Sequence, residues 1–151
     1  MAKVRQLVTQ SGADTFTAVA IDTSLTVDGK AGWSILAISA YWVDGAAVAA
    51  ADYSIDALVL ADGVTHTFAD DEWIASVSWG LQNTAGVAVA VGYEPMKSMV
   101  LTQERITVQP NIYAAVKSAG TAQANDVIIE IEYDIVKLSD LEVLRLLAGG
   151  A

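Results

Sequence analysis

Val127-Ile128-Ile129-Glu130-Ile131-Glu132-Tyr133-Asp134-Ile135-Val136 reads as one β-strand with a dry face and a wet face. Its odd positions are Val, Ile, Ile, Tyr and Ile, while its even positions include Glu130, Glu132 and Asp134, and that period of two belongs to a strand rather than a helix. Working outward, the same alternation recurs between turn signals. Val19, Ile21, Leu25 and Val27 alternate towards Asp28-Gly29-Lys30, and a strand beginning near Trp33 follows, which reads as a β-hairpin. Tyr53, Ile55, Ala57 and Val59 share a face before Asp62-Gly63. Trp73, Ala75, Val77 and Trp79 share another, as do Val87, Val89, Val91 and Tyr93. Further strands are expected from Met99 to Val108 and from Ile112 to Lys117, with Pro110 between them marking a corner or an edge. The alanine-rich stretch from Ala46 to Ala51 favours a short helix.

The pattern changes after the last strand. Ser139-Asp140-Leu141-Glu142 is a capping box, and Leu141, Leu144 and Leu147 recur at helical spacing before Gly149-Gly150. A short helix is expected over about 139–148. So few residues are not stable alone, so its leucines must pack on the sandwich or on a neighbouring subunit. The expectation for the whole chain, 151 residues, is a single all-β domain: an antiparallel β-sandwich, jelly-roll-like, of about eight or nine strands.

Composition narrows the function. Charged residues make up 17% of the chain, against about 25% in ordinary soluble domains, so there is little charge with which to cover a surface. The Trp33-Ser34-Ile35-Leu36-Ala37-Ile38-Ser39-Ala40-Tyr41-Trp42-Val43 stretch places large apolar side chains on both faces of a strand. An antiparallel sheet in a solitary domain usually keeps one face wet, so something is expected to cover the second. Trp33 and Trp42 have opposite strand parity, which sends at least one of them outward or to the sandwich's end. The face formed by Ala88, Ala90 and Gly92 is small enough for another layer to approach closely. These features assign Trp33, Leu36, Trp42, Ala88, Ala90, Leu141, Leu144 and Leu147 to a subunit interface.

Little in the chain looks catalytic. It has no cysteine and one histidine, His66, with no strained, glycine-flanked nucleophile turn beside it. Glu130 and Glu132 could suggest paired glycosidase carboxylates, but on a strand face they read as solvated charge without a pocket to shift either one. Gly29, Gly32 and Gly45 match no phosphate-binding spacing. Asp44, Asp62 and Asp70-Asp71-Glu72 lie in expected loops, where oxygen ligands for calcium could converge, although no EF-hand pattern is present. No enzyme activity, cofactor or metal is therefore expected.

The net charge of -10 repels nucleic-acid phosphate, and the eight cations are scattered apart from Lys3 and Arg5. No direct nucleic-acid contact is expected. No apolar run is long enough to span a membrane, and the polar N-terminal stretch does not resemble a secretion signal.

In length, strand number and two-faced apolar strands, the chain resembles the single jelly-roll capsid proteins of icosahedral viruses. The likeness is strongest from Pro110-Asn111-Ile112-Tyr113 through Ile129-Glu130-Ile131-Glu132-Tyr133-Asp134-Ile135-Val136-Lys137-Leu138-Ser139. It implies a virion protein whose partners are copies of itself and, in some shells, a second capsid protein. The two-charge N-terminal arm departs from capsids that package a genome on a basic arm, and brings the chain nearer to shells over an internal membrane or to outer decorating proteins. The competing expectation is a carbohydrate-binding β-sandwich with Trp33 or Trp73 as its platform.

Overall fold

The computed structural model describes residues 1–43, 53–65, 70–84, 87–89, 96–121 and 123–149. Strands β1 (Ala2–Thr9), β2 (Phe16–Asp22), β3 (Ala31–Trp42), β4 (Tyr53–Leu60), β5 (Trp73–Thr84), β6 (Val87–Val89), β7 (Met96–Thr107), β8 (Asn111–Ala119) and β9 (Asp126–Lys137) precede a helix, α1 (Asp140–Gly149). One sheet has the order β1-β9-β3-β7 and the other β2-β8-β4-β5, with the three-residue β6 on its edge. All pairings are antiparallel, and they nest: β1 with β9, β2 with β8, β3 with β7, β4 with β5. One long hairpin has been rolled into two layers, which is the jelly-roll arrangement.

Rolling explains why the expected hairpin across Asp28-Gly29 is absent. Those residues do form a turn, a single 3-10 turn over Val27–Gly29 closed by Lys30 in the left-handed region. That turn carries the chain from one sheet to the other. β2 pairs with β8, and β3 pairs with β7 and β9, so sequence neighbours lie in opposite layers. Asp-Gly fixes where a chain turns but not which strands then pair. Of the two places expected for Pro110 it takes the corner, between β7 and β8, its carbonyl accepting the Thr23 amide at 3.0 Å.

The parity argument for Trp33 and Trp42 is also corrected. A β-bulge interrupts β3: Ile35 faces Tyr133 and Ala37 faces Glu132, which leaves Leu36 as an extra residue. The inserted residue switches the alternation. Trp33 and Ile35 point inward before the bulge and Ile38, Ala40 and Trp42 point inward after it. Trp33 is 4% exposed and Trp42 fully buried, so neither belongs to a subunit interface. Trp33 stacks on Tyr133 with ring centres 3.6 Å apart, and Trp42 packs against Trp79 and Tyr53. Gly32 admits β7 closely, since a Cβ there would lie 2.7 Å from the Ile106 side chain and 3.1 Å from the Thr107 carbonyl.

One end of the sandwich is closed by buried amides and hydroxyls. Gln10 Nε2 donates to Ser118 Oγ, Asn125 Nδ2 donates to Gln10 Oε1 at 2.7 Å, and Trp42 Nε1 donates to Asn125 Oδ1 at 3.2 Å. Asp14 accepts from the Thr121 amide. These bonds tie the β1-β2 and β8-β9 loops to the core, and Gln10, Ser118, Thr121 and Asn125 are each buried with a partner.

Candidate functional site

The two outer faces of the sandwich are finished differently. On the β2-β8-β4-β5 sheet, Leu58, Leu60 and Ala115 point away from the main core yet are buried, under Phe16, Ala18, Tyr113 and Trp73. The turn after β4 lies over this cluster, close enough that a Cβ on Gly63 would touch the Tyr113 ring at 3.4 Å. The chain covers this second apolar face itself.

The β1-β9-β3-β7 sheet keeps an open outer face. Strand register aligns its residues in rows across all four strands. One row is Leu7, Ile128, Tyr41 and Met96; the next is Arg5, Glu130, Ser39 and Ser98; the third is Lys3, Glu132, Ala37 and Val100. The first row is wholly apolar or aromatic, and Leu7, Tyr41 and Met96 are 51%, 39% and 60% exposed. Beside it lies a depression of about 520 Å³ lined by Arg5, Ser39, Tyr41, Met96, Ile128 and Glu130. The charge is gathered on the β1 and β9 side, where Glu130 accepts from Arg5 Nε and pairs with Lys3 Nζ at 3.3 Å.

Those contacts hold the Glu130 carboxyl below the usual glutamate range, the Arg5 hydrogen bond contributing most and outweighing partial desolvation. A carboxyl whose pKa is lowered in the folded state adds stability above its unfolded pKa and loses it as pH falls through the folded value. Glu130→Gln is therefore expected to cost no more than about 1 kcal/mol at neutral pH, because Arg5 and Lys3 are well exposed. Urea titrations at stepped pH should show the difference from wild type shrinking below about pH 4. A difference that is constant through that range would contradict the assignment.

α1 carries a second exposed patch. Its capping box is formed: Ser139 Oγ accepts from the Glu142 amide and Glu142 Oε2 from the Ser139 amide, which holds the Glu142 carboxyl below its ordinary range. Val143 is buried, and Leu147 is half-buried. Leu141 and Leu144 remain 58% and 62% exposed. Leu36, at the bulge, is half-buried. The Ala88 backbone lies in β6 opposite Asn83. Ala90, His66, Asp44 and the expected helix from Ala46 to Ala51 lie outside the described residues.

Among the described residues no three His, Cys, Asp or Glu side chains gather as a metal site, and no helix is long and apolar enough to cross a membrane. Asp62 instead accepts from the Val64 amide within its own turn. Comparison with protein-family models, with curated proteins and with solved structures finds no match.

The row Leu7, Ile128, Tyr41 and Met96 is absent from the interface expected from sequence. Each residue taken singly is an unremarkable member of its strand. Only Ile128, an isoleucine on the face of Glu130 and Glu132, breaks its local pattern and offered a signal.

Proposed function

We propose that the protein is a structural, self-assembling subunit of the virion coat or capsid type. The observation that carries the reading is the apolar row across the open outer sheet face, in a chain that covers its other outer face with its own aromatic residues. Apolar surface aligned on a rigid sheet marks a site of association rather than an ordinary solvated face. The jelly-roll strand order suits a shell building block. Copies of the same chain are the partners, with a second coat protein as a further component of the shell. Lys3 and Arg5 are engaged by Glu130, which fits a layer without direct nucleic-acid contact.

The charge of -10 per copy opposes association through like-charge repulsion and keeps unassembled subunits soluble. Added salt screens it. Sedimentation velocity and negative-stain microscopy should therefore show concentration-dependent oligomers or particles that strengthen as ionic strength rises. Tyr41→Asp should shift the protein to monomer without altering its unfolding transition. A wild-type protein that stays monomeric at high concentration and high salt overturns the reading.

The sugar-binding alternative loses Trp33, which is in the core, whereas Trp73 packs with Tyr113 and Leu60 yet stays partly exposed and lines a depression of about 230 Å³ with Asp70, Asp71 and Arg105.

A further inference from the structure

The geometry points to a binding site for one ring of a neutral sugar, in the depression between β7 and the start of β5. The site shares no residue with the Leu7, Ile128, Tyr41 and Met96 row, so it stands apart from the reading of the chain as a coat subunit. A coat built of such subunits would present the site in many copies, which turns weak sugar binding into avidity.

β7 is an edge strand whose pairing with β3 is interrupted. Arg105 faces Ile35 and Val100 faces Ala37, so the four residues from Leu101 to Glu104 stand opposite Leu36 alone. Bulges re-aim side chains and recur beside active sites. This one puts Thr102 and Gln103 on a depression of about 230 Å³, which Trp73, Asp70 and Asp71 line from the β5 side. Arg105 fixes the two sides to each other. It shares the inward face of Ile35, and its Nη2 donates to the Asp71 carbonyl at 2.6 Å and the Trp73 carbonyl at 2.7 Å. The Trp73 amide donates in turn to the Asp70 carbonyl at 3.2 Å. Arg105 Nε is buried with no acceptor among the described residues, a cost to stability that packing alone does not call for. An inward charge is enough to blunt an edge strand; that role needs neither the bulge nor a tryptophan held beside it.

The ligand class follows from the lining. Asp70 and Asp71 are exposed in a molecule of charge -10, which disfavours an anion. Arg105 disfavours a bare cation, and the polar rim disfavours a wholly apolar ligand. A neutral molecule with an apolar face and an edge of hydroxyls meets every condition. Against such hydroxyls the carboxylates accept, the guanidinium donates, and Gln103 and Thr102 do both. Trp73, partly exposed, offers aromatic surface to the C–H face of a sugar ring, beside the partly buried Met99 and Leu101. The volume lies below the about 300–1,000 Å³ of drug-sized sites and holds one ring rather than a chain.

Saturation-transfer NMR observes the sugar, so it tests the site whether or not the protein assembles. Glucose, galactose, mannose, fucose and N-acetylglucosamine, each titrated to tens of millimolar against wild type, should include at least one that binds saturably. Gln103→Ala should weaken that sugar about tenfold, and Trp73→Ala should abolish its binding. Trp73 also packs with Leu60 and Tyr113, whereas Gln103 and Thr102 are exposed. Gln103→Ala and Thr102→Ala should therefore keep the wild-type unfolding midpoint, and they decide the matter if Trp73→Ala does not fold. The site is overturned if none of the five sugars binds, or if binding is unchanged in both Gln103→Ala and Thr102→Ala. Tighter binding of galacturonic acid or N-acetylneuraminic acid than of every neutral sugar overturns it as well. None of these results bears on assembly, which sedimentation of wild type reads separately.

Discussion

Deleting Leu36 is expected to abolish the native fold, although the residue is only half-buried and contributes little by itself. Its role is to switch parity. Without it, β3 must keep its pairing on one side of position 36 and invert every side chain on the other. Either Trp33 and Ile35 turn to solvent, breaking the stack on Tyr133, or Ile38 and Trp42 do. Each large apolar side chain lost from the core costs about 1.5–3 kcal/mol. Two of them, together with the polar groups driven inward, approach the 5–15 kcal/mol by which a domain of this size is stable. Leu36→Ala keeps the residue count and should cost only about 1 kcal/mol. Near-ultraviolet circular dichroism and equilibrium unfolding compare the two variants. A deletion variant with native tertiary signal and near-native stability would show that the bulge does not set the facing of β3.

Trp42→Ala is expected to be the most damaging single substitution in the described core, at about 3–5 kcal/mol. Trp42 is fully buried at the end of β3, edge-on to Tyr53 and tilted against Trp79, and its removal leaves a void that these rigid neighbours cannot fill. It also donates to Asn125 Oδ1 at the buried polar end of the sandwich. Trp42→Phe separates the two roles, retaining most of the ring contact while removing the donor. Asn125 Oδ1 also accepts from Gln123 Nε2, so the Phe variant should lose less than half as much. Denaturant titrations measure both. A loss under about 1 kcal/mol for Trp42→Ala would refute the placement of this side chain.

Strand by strand, the sequence is informative wherever one face is wet. In β9 the alternation of Val127, Ile129 and Ile131 with Glu130 and Glu132 identifies strand, phase and inward face together, and all three apolar residues are buried. The capping box at Ser139 and Glu142 is equally local and marks the start of α1. β3 is misleading for a physical reason. A bulge makes a strand that is apolar on one side look apolar on both, and nothing near Leu36 signals it. The sheet that contains β4 and β8 was opaque in another way: the alternation of Ile55, Ala57 and Val59 marks its inward face, but only the fold shows Leu58 and Leu60 on the opposite face packed with Tyr113 and Trp73 beside the turn at Gly63.

Read alone, the 151 residues determine an all-β sandwich with a capped terminal helix, because hydrophobic period, turn chemistry and capping act over a few neighbouring residues. They also determine an acidic molecule with little charge to spread over its surface. Which strands pair, which tryptophans are hidden and where apolar surface stays open were decided only by tertiary structure. Leu7, Tyr41, Met96 and Ile128 come from four separate strands, and register between strands is a long-range property that places them in one row.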